Sequence, residues 1–152
     1  GGKGAVVVDI DARKREAAVA AGALGAVDGA APDALEQIAA KAGGPVFGAI
    51  DLVGNAQTAQ LGFDCLTKGG KLVMVGLFGG GATWALPLIA IKAITIQGSY
   101  VGNLNETKEL LDLVRTRKIA PIPVISMPLT KADEALNDLK SGKLVGRAVL
   151  TP

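Results

Sequence analysis

The first residues with a possible chemical role are charged side chains near the start of the chain. Asp9 follows the apolar run at residues 6–8, and Lys14 comes five residues later. An acid at the end of a strand in a nucleotide-binding sheet accepts hydrogen bonds from ribose hydroxyls and repels a 2′-phosphate. Asp is also a common helix N-cap, so the position favours neither role. Lys14 could approach a ribose or a phosphate or lie in solvent, whereas Arg13 and Arg15 are predicted on a solvated helix face.

Four further residues have both a chemical and a purely structural interpretation. Arg147 stands in an apolar segment, where its planar guanidinium could bind a pyrophosphate or form a partly buried ion pair. Gly76 and Gly98 end apolar segments, where glycine admits a flat ring close to the backbone but is also an ordinary strand end. Cys65 lies on an apolar stripe and is predicted in the core rather than as a nucleophile.

The composition excludes several kinds of site from this chain. It has no histidine and one cysteine, so it holds no Ser-His-Asp or Cys-His triad and no histidine-containing zinc site. We therefore assign no catalytic residue and no metal ligand to these 152 residues. A single cysteine permits no internal disulfide, which is compatible with the cytoplasm.

Charge and hydropathy indicate neither a nucleic-acid nor a membrane partner. The 16 Lys and Arg against 14 Asp and Glu leave a net charge of +2 and no basic stripe. The longest apolar run, residues 84–91, contains Pro87 and ends at Lys92, so it is too short for a membrane helix.

The elements that must position these residues alternate between strand and helix. Strands are predicted at residues 6–8, 25–28, 47–53, 71–76, 94–98 and 147–150. Helices are predicted at residues 11–21, 32–42 and 87–92. Another is predicted from the apolar stripe of Ala59, Phe63 and Leu66 and ends at Gly69–Gly70. A further helix begins at a capping box formed by Asn103 and Glu106. Near-continuous apolar strands favour an α/β fold with a doubly wound parallel sheet.

The composition of the chain changes near the C-terminus. Three prolines fall within residues 121–128, and Thr130 with Asp133 predicts a capped helix that ends at residues 141–142. We therefore predict that residues 1–120 form a partial nucleotide-binding domain. Residues 121–152 then form a strand–helix–strand tail that packs toward the sheet or a neighbouring lobe.

The glycine fingerprint of a dinucleotide site is absent. No G-x-G-x-x-G turn joins a strand to a helix in this chain. Residues 79–81 are glycines that follow a predicted strand, but their spacing favours a flexible connection over a phosphate cradle.

Taken in order, several segments resemble the cofactor-binding half of a medium-chain dehydrogenase/reductase of the zinc-dependent alcohol dehydrogenase family. The ending Gly142-Lys143 to Gly146-Arg147 is characteristic of that family. The segments are residues 8–11, 24–26, 50–54, 68–76, 96–102 and 146–150, and together they span nearly the whole chain.

The resemblance implies a role for specific residues in binding NAD. Asp9 would favour NAD over NADP, because its charge opposes a 2′-phosphate. The implied contacts are Asp9 and Lys14 on the adenosine ribose, Val53 and Gly54 beside the riboses, backbone groups of Gly76, Leu77, Ser99 and Val101 on the nicotinamide carboxamide, and Arg147 on the pyrophosphate.

The chain also departs from the family pattern. The family's catalytic lobe with its zinc ligands, the first strand of the cofactor domain and the glycine-rich turn have no counterpart in this sequence. In the strand order 3-2-1-4-5-6 the first strand is central, so without it the strand ending at Asp9 is separated from the strand that contains Val53. We expect a fragment that is inactive when isolated.

The resemblance implies that the parent enzyme, meaning the full-length protein containing this chain, is a zinc-dependent, NAD-linked alcohol dehydrogenase acting on a small alcohol or carbonyl compound. Alternatives are a zinc-free quinone or enoyl reductase of the same superfamily, or a non-catalytic nucleotide-binding or assembly module. Residues 84–98 resemble the family's subunit-contact region, which implies a homo-oligomer.

Overall fold

The computed structural model describes residues 3–117 and 122–152 and divides the chain into two compact units at Val101 and Gly102. The first unit contains β1 (Val6–Val8), α1 (Ala12–Ala20), β2 (Gly25–Val27), α2 (Ala34–Ala42), β3 (Val46–Asp51), α3 (Ala56–Asp64), β4 (Leu66–Met74), α4 (Leu86–Ile91) and β5 (Thr95–Gly98). The second contains α5 (Leu104–Arg117), β6 (Val124–Pro128), a 3-10 turn (Leu129–Lys131), α6 (Ala132–Lys140) and β7 (Arg147–Thr151).

The strands pair in parallel throughout the described residues, as the apolar strand pattern predicts. In the first unit β1 pairs with β2, and β3, β4 and β5 form a separate three-stranded sheet in that order. In the second unit β6 pairs with β7. The predicted Rossmann-like α/β class is confirmed, and so is the separation of the strand before Asp9 from the strand that leads to Val53.

Two small cores hold the first unit together. Val27, Ala34 and Ile38 form one beneath β1 and β2. The other contains Phe63, Leu66, Leu72 and Ile94 beside the three-stranded sheet, and the Phe63 ring stacks on Trp84 with centroids 5.4 Å apart. The second core packs against Met74, the last residue of β4, beside which the candidate site lies.

The predicted helical stripe is wrong at its last residue. Helix α3 ends at Asp64, and Leu66 is the first residue of β4, where it pairs with Val46. Gly69 and Gly70 therefore lie inside β4 rather than at a helix end, beside a register shift in β3. The error has a simple cause: Leu66 is buried like Phe63, and a buried residue at the start of a strand can continue a helical spacing.

One of the two predicted caps in the second unit is correct. The Asn103 side chain accepts a hydrogen bond from the Glu106 amide at 3.0 Å, and the Glu106 carboxylate accepts one from the Asn103 amide at 2.7 Å. Thr130 does not cap α6, because it lies inside the 3-10 turn and Lys131 takes the cap position without a side-chain hydrogen bond.

The strand β3 leaves large apolar side chains uncovered. Phe47 is 62% exposed and Ile50 is 68% exposed. Strand β3 also forms one edge of the three-stranded sheet, and exposed apolar side chains of this size are normally covered by another segment. None of the helices in the described residues is long and apolar enough to cross a membrane.

Candidate functional site

The candidate site is built where the chain leaves β3 and β4. Parallel strands of a doubly wound sheet bind ligands at their carboxyl ends, and Val53, Gly54, Gly76 and Leu77 all follow such an end. Two hydrogen bonds of 3.0 Å join the loops, because the Val53 carbonyl accepts from the Phe78 amide and the Gly54 carbonyl accepts from the Gly79 amide. The four residues predicted here are therefore in one place.

Two glycines allow the loops to approach each other so closely. A Cβ on Gly76 would overlap the Val53 carbonyl and the Gly54 nitrogen, and one on Gly54 would overlap the Gly76 carbonyl. Gly54 also has φ +76°, a left-handed conformation that L side chains rarely adopt. Gly76 lies beyond the end of β4, so its role as a simple strand end is wrong, and its closest neighbour is the protein backbone.

Asp51 is a site residue that the sequence prediction missed. Its side chain is buried, with 6% of the residue exposed, and its Oδ1 accepts hydrogen bonds of 2.9 Å from the amides of Val53 and Gly54. Its Oδ2 accepts a third, also of 2.9 Å, from the Thr58 hydroxyl. A buried carboxylate requires such partners. The one available signal was an acid inside the apolar strand predicted at residues 47–53.

A small cavity opens beside these loops. It has a volume of about 170 Å³ and borders the indole of Trp84, whose Nε1 is buried without a hydrogen-bond partner among the described residues. Binding pockets for whole small molecules measure about 300–1,000 Å³, so this cavity is too small to enclose a whole one. Its lining consists of Gly54, Asn55, Ala59, Met74, Gly80, Gly81, Ala82 and Trp84, which includes part of the glycine-rich segment.

Asp9 lies at the carboxyl end of β1, and its predicted alternative as an N-cap is wrong. The N-cap of α1 is Asp11, whose carboxylate accepts a hydrogen bond from the Arg13 amide at 2.9 Å. Asp9 Oδ1 instead accepts one from the Asp11 amide at 2.8 Å, and Oδ2 accepts none from the described residues. The side-chain hydrogen bond from Arg13 lowers the pKa of Asp11 to about 2. Lys14 is exposed on α1.

The prediction that Arg15 lies on a solvated helix face is wrong. Its side chain is 22% exposed and forms an ion pair of 3.4 Å with Asp28, just beyond β2. Its guanidinium also donates a 2.7 Å hydrogen bond to the Asp9 carbonyl. Arg15 therefore fixes the backbone at Asp9, because it joins the ends of β1 and β2.

The remaining predicted site residues lie beyond β5 and in the second unit. The Ser99 amide donates to the Met74 carbonyl at 2.9 Å, which places Ser99 beside the end of β4. Val101 is exposed and has φ +47°, an unfavourable conformation for a β-branched side chain. Arg147 is exposed at the start of β7 and forms no ion pair with the described residues, so the predicted ion pair is wrong.

Cys65 has the surroundings of a structural residue. Its thiol donates a 3.3 Å hydrogen bond to the Gly62 carbonyl, and the side chain packs against the core of Val27, Ala34 and Ile38. Burial raises the pKa of the Cys65 thiol. A raised pKa reduces the fraction of thiolate, which is the nucleophilic form.

Comparisons with known proteins show which family the chain resembles. The zinc-binding dehydrogenase family matches residues 1–116. The NAD-dependent alcohol dehydrogenase of Sulfurisphaera tokodaii is 35% identical over 98% of this chain and 44% of its own length. The D-arabinose 1-dehydrogenase (NADP(+)) of Saccharolobus solfataricus is 32% identical over 68% of this chain and 30% of its own length.

A solved structure gives the same result for the fold. The alcohol dehydrogenase from Aeropyrum pernix matches 97% of this chain and 42% of its own with a TM-score of 0.84 and 30% sequence identity. The chain therefore spans less than half the length of these similar proteins. On the family match and the shared fold together, the chain belongs to the zinc-binding dehydrogenase family.

Proposed function

We propose that this chain supplies the cofactor-binding half of an NAD-dependent alcohol dehydrogenase, which transfers hydride between an alcohol and nicotinamide. The observation that carries the proposal is the pair of glycine-linked loops at the carboxyl ends of β3 and β4. A doubly wound sheet binds its ligand at such ends, and the absence of side chains on Gly54 and Gly76 lets the two loops pack against each other there.

The residues of this chain bind and orient the cofactor in this proposal, and none of them reacts. NAD, when bound, supplies the ring carbon that accepts the hydride. The amides of Gly76 and Ser99 already donate to protein carbonyls. Their own carbonyls accept no backbone hydrogen bond from the described residues, so these carbonyls and the Ser99 hydroxyl are the groups left for the carboxamide. The proposed contacts are Asp9 and Lys14 on the adenosine ribose, Val53 and Gly54 beside the riboses, Gly76, Leu77, Ser99 and Val101 on the carboxamide, and Arg147 on the pyrophosphate.

Asp9 supports NAD as the cofactor rather than NADP. Arg15 holds the Asp9 backbone, and the Asp11 amide holds Oδ1, so the carboxylate has a defined place at the end of β1. Oδ2 is then the atom available to accept hydrogen bonds from a ribose. A 2′-phosphate in the same place would meet a like charge.

Zinc and catalysis belong outside these residues in our proposal. The described part of the chain has no group of three or more His, Cys, Asp or Glu side chains that could hold a metal ion. We therefore propose that the remaining part of the parent enzyme binds zinc and the alcohol, and that the isolated 152 residues are inactive. The edge position of β3 supports a further strand between β1 and β3.

We also propose how the parent enzyme is organised. Residues 1–120 belong to its cofactor domain, and residues 121–152 form a tail beside that domain or the catalytic lobe. Residues 84–98 contact a second copy, which is supported by the exposed strand β5 at the edge of its sheet. The lone cysteine supports the cytoplasm as its location.

The proposal is tested with the full-length protein. Its rate of NADH formation from primary and secondary alcohols is measured by absorbance before and after exhaustive chelation. We expect NAD-dependent oxidation that chelation abolishes. Activity that persists after chelation would support the zinc-free reductase alternative, and a failure to reduce NAD with every alcohol would contradict the proposed reaction.

A further inference from the structure

We propose that Asp51 is the positioning residue of the cofactor site, because its carboxylate holds the backbone of Val53 and Gly54 in the conformation that the neighbouring loop requires. This inference rests on the proposed binding of NAD at these loops. Asp51 touches no reacting atom in this account. It acts through the turn that follows β3.

All three hydrogen bonds that the buried Asp51 carboxylate accepts within the described part of the chain come from residues 53–58. Among the described residues, Asp51 is the one charged side chain classed as buried. Both amides of the turn, at Val53 and Gly54, point to the same Oδ1 at 2.9 Å. Two amides that donate to one oxygen must both point toward it, so the carboxylate fixes the orientation of both peptide groups.

The same residue also binds the second loop. The main-chain carbonyl of Asp51 accepts hydrogen bonds of 2.9 Å from the amides of Val75 and Gly76. The side chain of Asp51 thus holds the loop after β3, while its carbonyl holds the loop after β4. Because Gly76 lies against Val53 and Gly54 with no room for a Cβ, a small rotation of the turn would produce a backbone clash.

The third hydrogen bond connects Asp51 to the start of α3. The Thr58 hydroxyl has one proton, and its nearest acceptor is Asp51 Oδ2 at 2.9 Å, compared with 3.2 Å to oxygens of Asn55. The same hydroxyl accepts from the Asn55 amide at 3.2 Å, as part of the capping box of α3. Asp51 therefore fixes the turn from both of its ends.

The peptide groups of the turn have few hydrogen bonds left for a ligand. Their amides donate to Asp51, and their carbonyls accept from Phe78 and Gly79. The turn therefore contributes shape and the half-exposed Val53 side chain, which is 45% exposed. A residue that sets the position of Val53 then determines how well the site fits a cofactor.

The test uses four variants of the full-length protein. Asp51→Ala removes all three side-chain hydrogen bonds, whereas Asp51→Asn keeps an Oδ1 acceptor for the two amides. Thr58→Val removes the partner of Oδ2 together with the acceptor of the Asn55 amide, and it leaves the Val53 and Gly54 amides bonded to Oδ1. Asp64→Ala is the matched control, because Asp64 is an exposed acid on α3 whose carboxylate accepts from Gln60 instead.

The first readout is the KM for NAD, measured with kcat corrected for the number of active sites. We expect Asp51→Ala to raise this KM by about tenfold or more while the KM for the alcohol changes little. Asp51→Asn should recover most of the loss, and Asp64→Ala should match the unchanged protein. A purely structural role would lower the number of active sites without changing the KM for NAD.

The second readout is hydrogen exchange of the Val53 and Gly54 amides without cofactor. We expect Asp51→Ala to remove their protection, whereas Thr58→Val and Asp64→Ala retain it. An unchanged KM for NAD in a folded Asp51→Ala protein would overturn the inference alone. Absence of NAD binding by the unchanged protein would overturn the proposed function and this inference with it.

Discussion

Replacing Gly76 by alanine tests the contact between the two loops directly. The new Cβ would overlap the Val53 carbonyl and the Gly54 nitrogen, which are backbone atoms and cannot rotate away as a side chain would. The loops must separate, and this weakens the bonds from Gly76 to Asp51 and from Phe78 to Val53. Each such bond contributes about 1 kcal/mol, and forced overpacking costs about 1–3 kcal/mol. We expect a loss of about 2–4 kcal/mol in the free energy of unfolding.

Gly98→Ala provides the matched control. Gly98 is the last residue of β5, and a Cβ there would meet no atom within 4 Å. We expect this variant to stay within about 0.5 kcal/mol of the original protein. Equilibrium unfolding of the full-length protein in urea measures both, with equal slopes required for the comparison. Equal stability of the two variants would refute the close packing of the loops.

Three further predictions follow from the same structure, for two substitutions and one chemical modification. Ala93 follows the end of α4 and has φ +50°, and the next amide, of Ile94, donates to the Ile89 carbonyl. Because glycine adopts this left-handed conformation more easily than alanine, Ala93→Gly should stabilise the protein by about 0.5–1 kcal/mol. Thermal unfolding measures the effect, and a lower melting temperature would contradict it. Burial raises the pKa of the Cys65 thiol, so its alkylation at neutral pH should be slower in the folded than in the unfolded protein. The rate in the folded protein should increase only above the pH range in which an ordinary thiol ionises. Equal alkylation rates in the folded and unfolded protein would contradict the burial of Cys65. Asp9→Asn in the full-length protein should weaken NAD binding about tenfold and reduce discrimination against NADP, and unchanged discrimination would disprove its proposed role.

Local patterns predicted the elements of the fold well. The β-branched run before Asp9 and the capping box of Asn103 and Glu106 depend on neighbours in sequence, so they were readable without coordinates. Leu66 was misplaced because burial at the start of a strand continues the apolar spacing of the preceding helix. Thr130 was misplaced because a 3-10 turn precedes α6 and changes which residue takes the cap position.

The candidate site depends more on contacts between segments. The sequence placed Val53 and Gly76 at the ends of predicted strands and Gly54 just beyond one, but it did not show that two loops touch through their glycines. Asp51 looked like one acid in an apolar run, since its partners appear only after the turn and α3 have formed. Arg15 looked like a solvated residue for the same reason, because Asp28 follows a different strand.

Calorimetric titration with NAD tests the central claim most directly. The full-length protein should bind NAD saturably at one site per chain and bind NADP much more weakly, because of the charge on Asp9. The isolated 152 residues should bind NAD weakly or undetectably, since they contain no glycine-rich turn for the pyrophosphate. No NAD binding by the full-length protein, or equal affinity for NADP, would contradict the account.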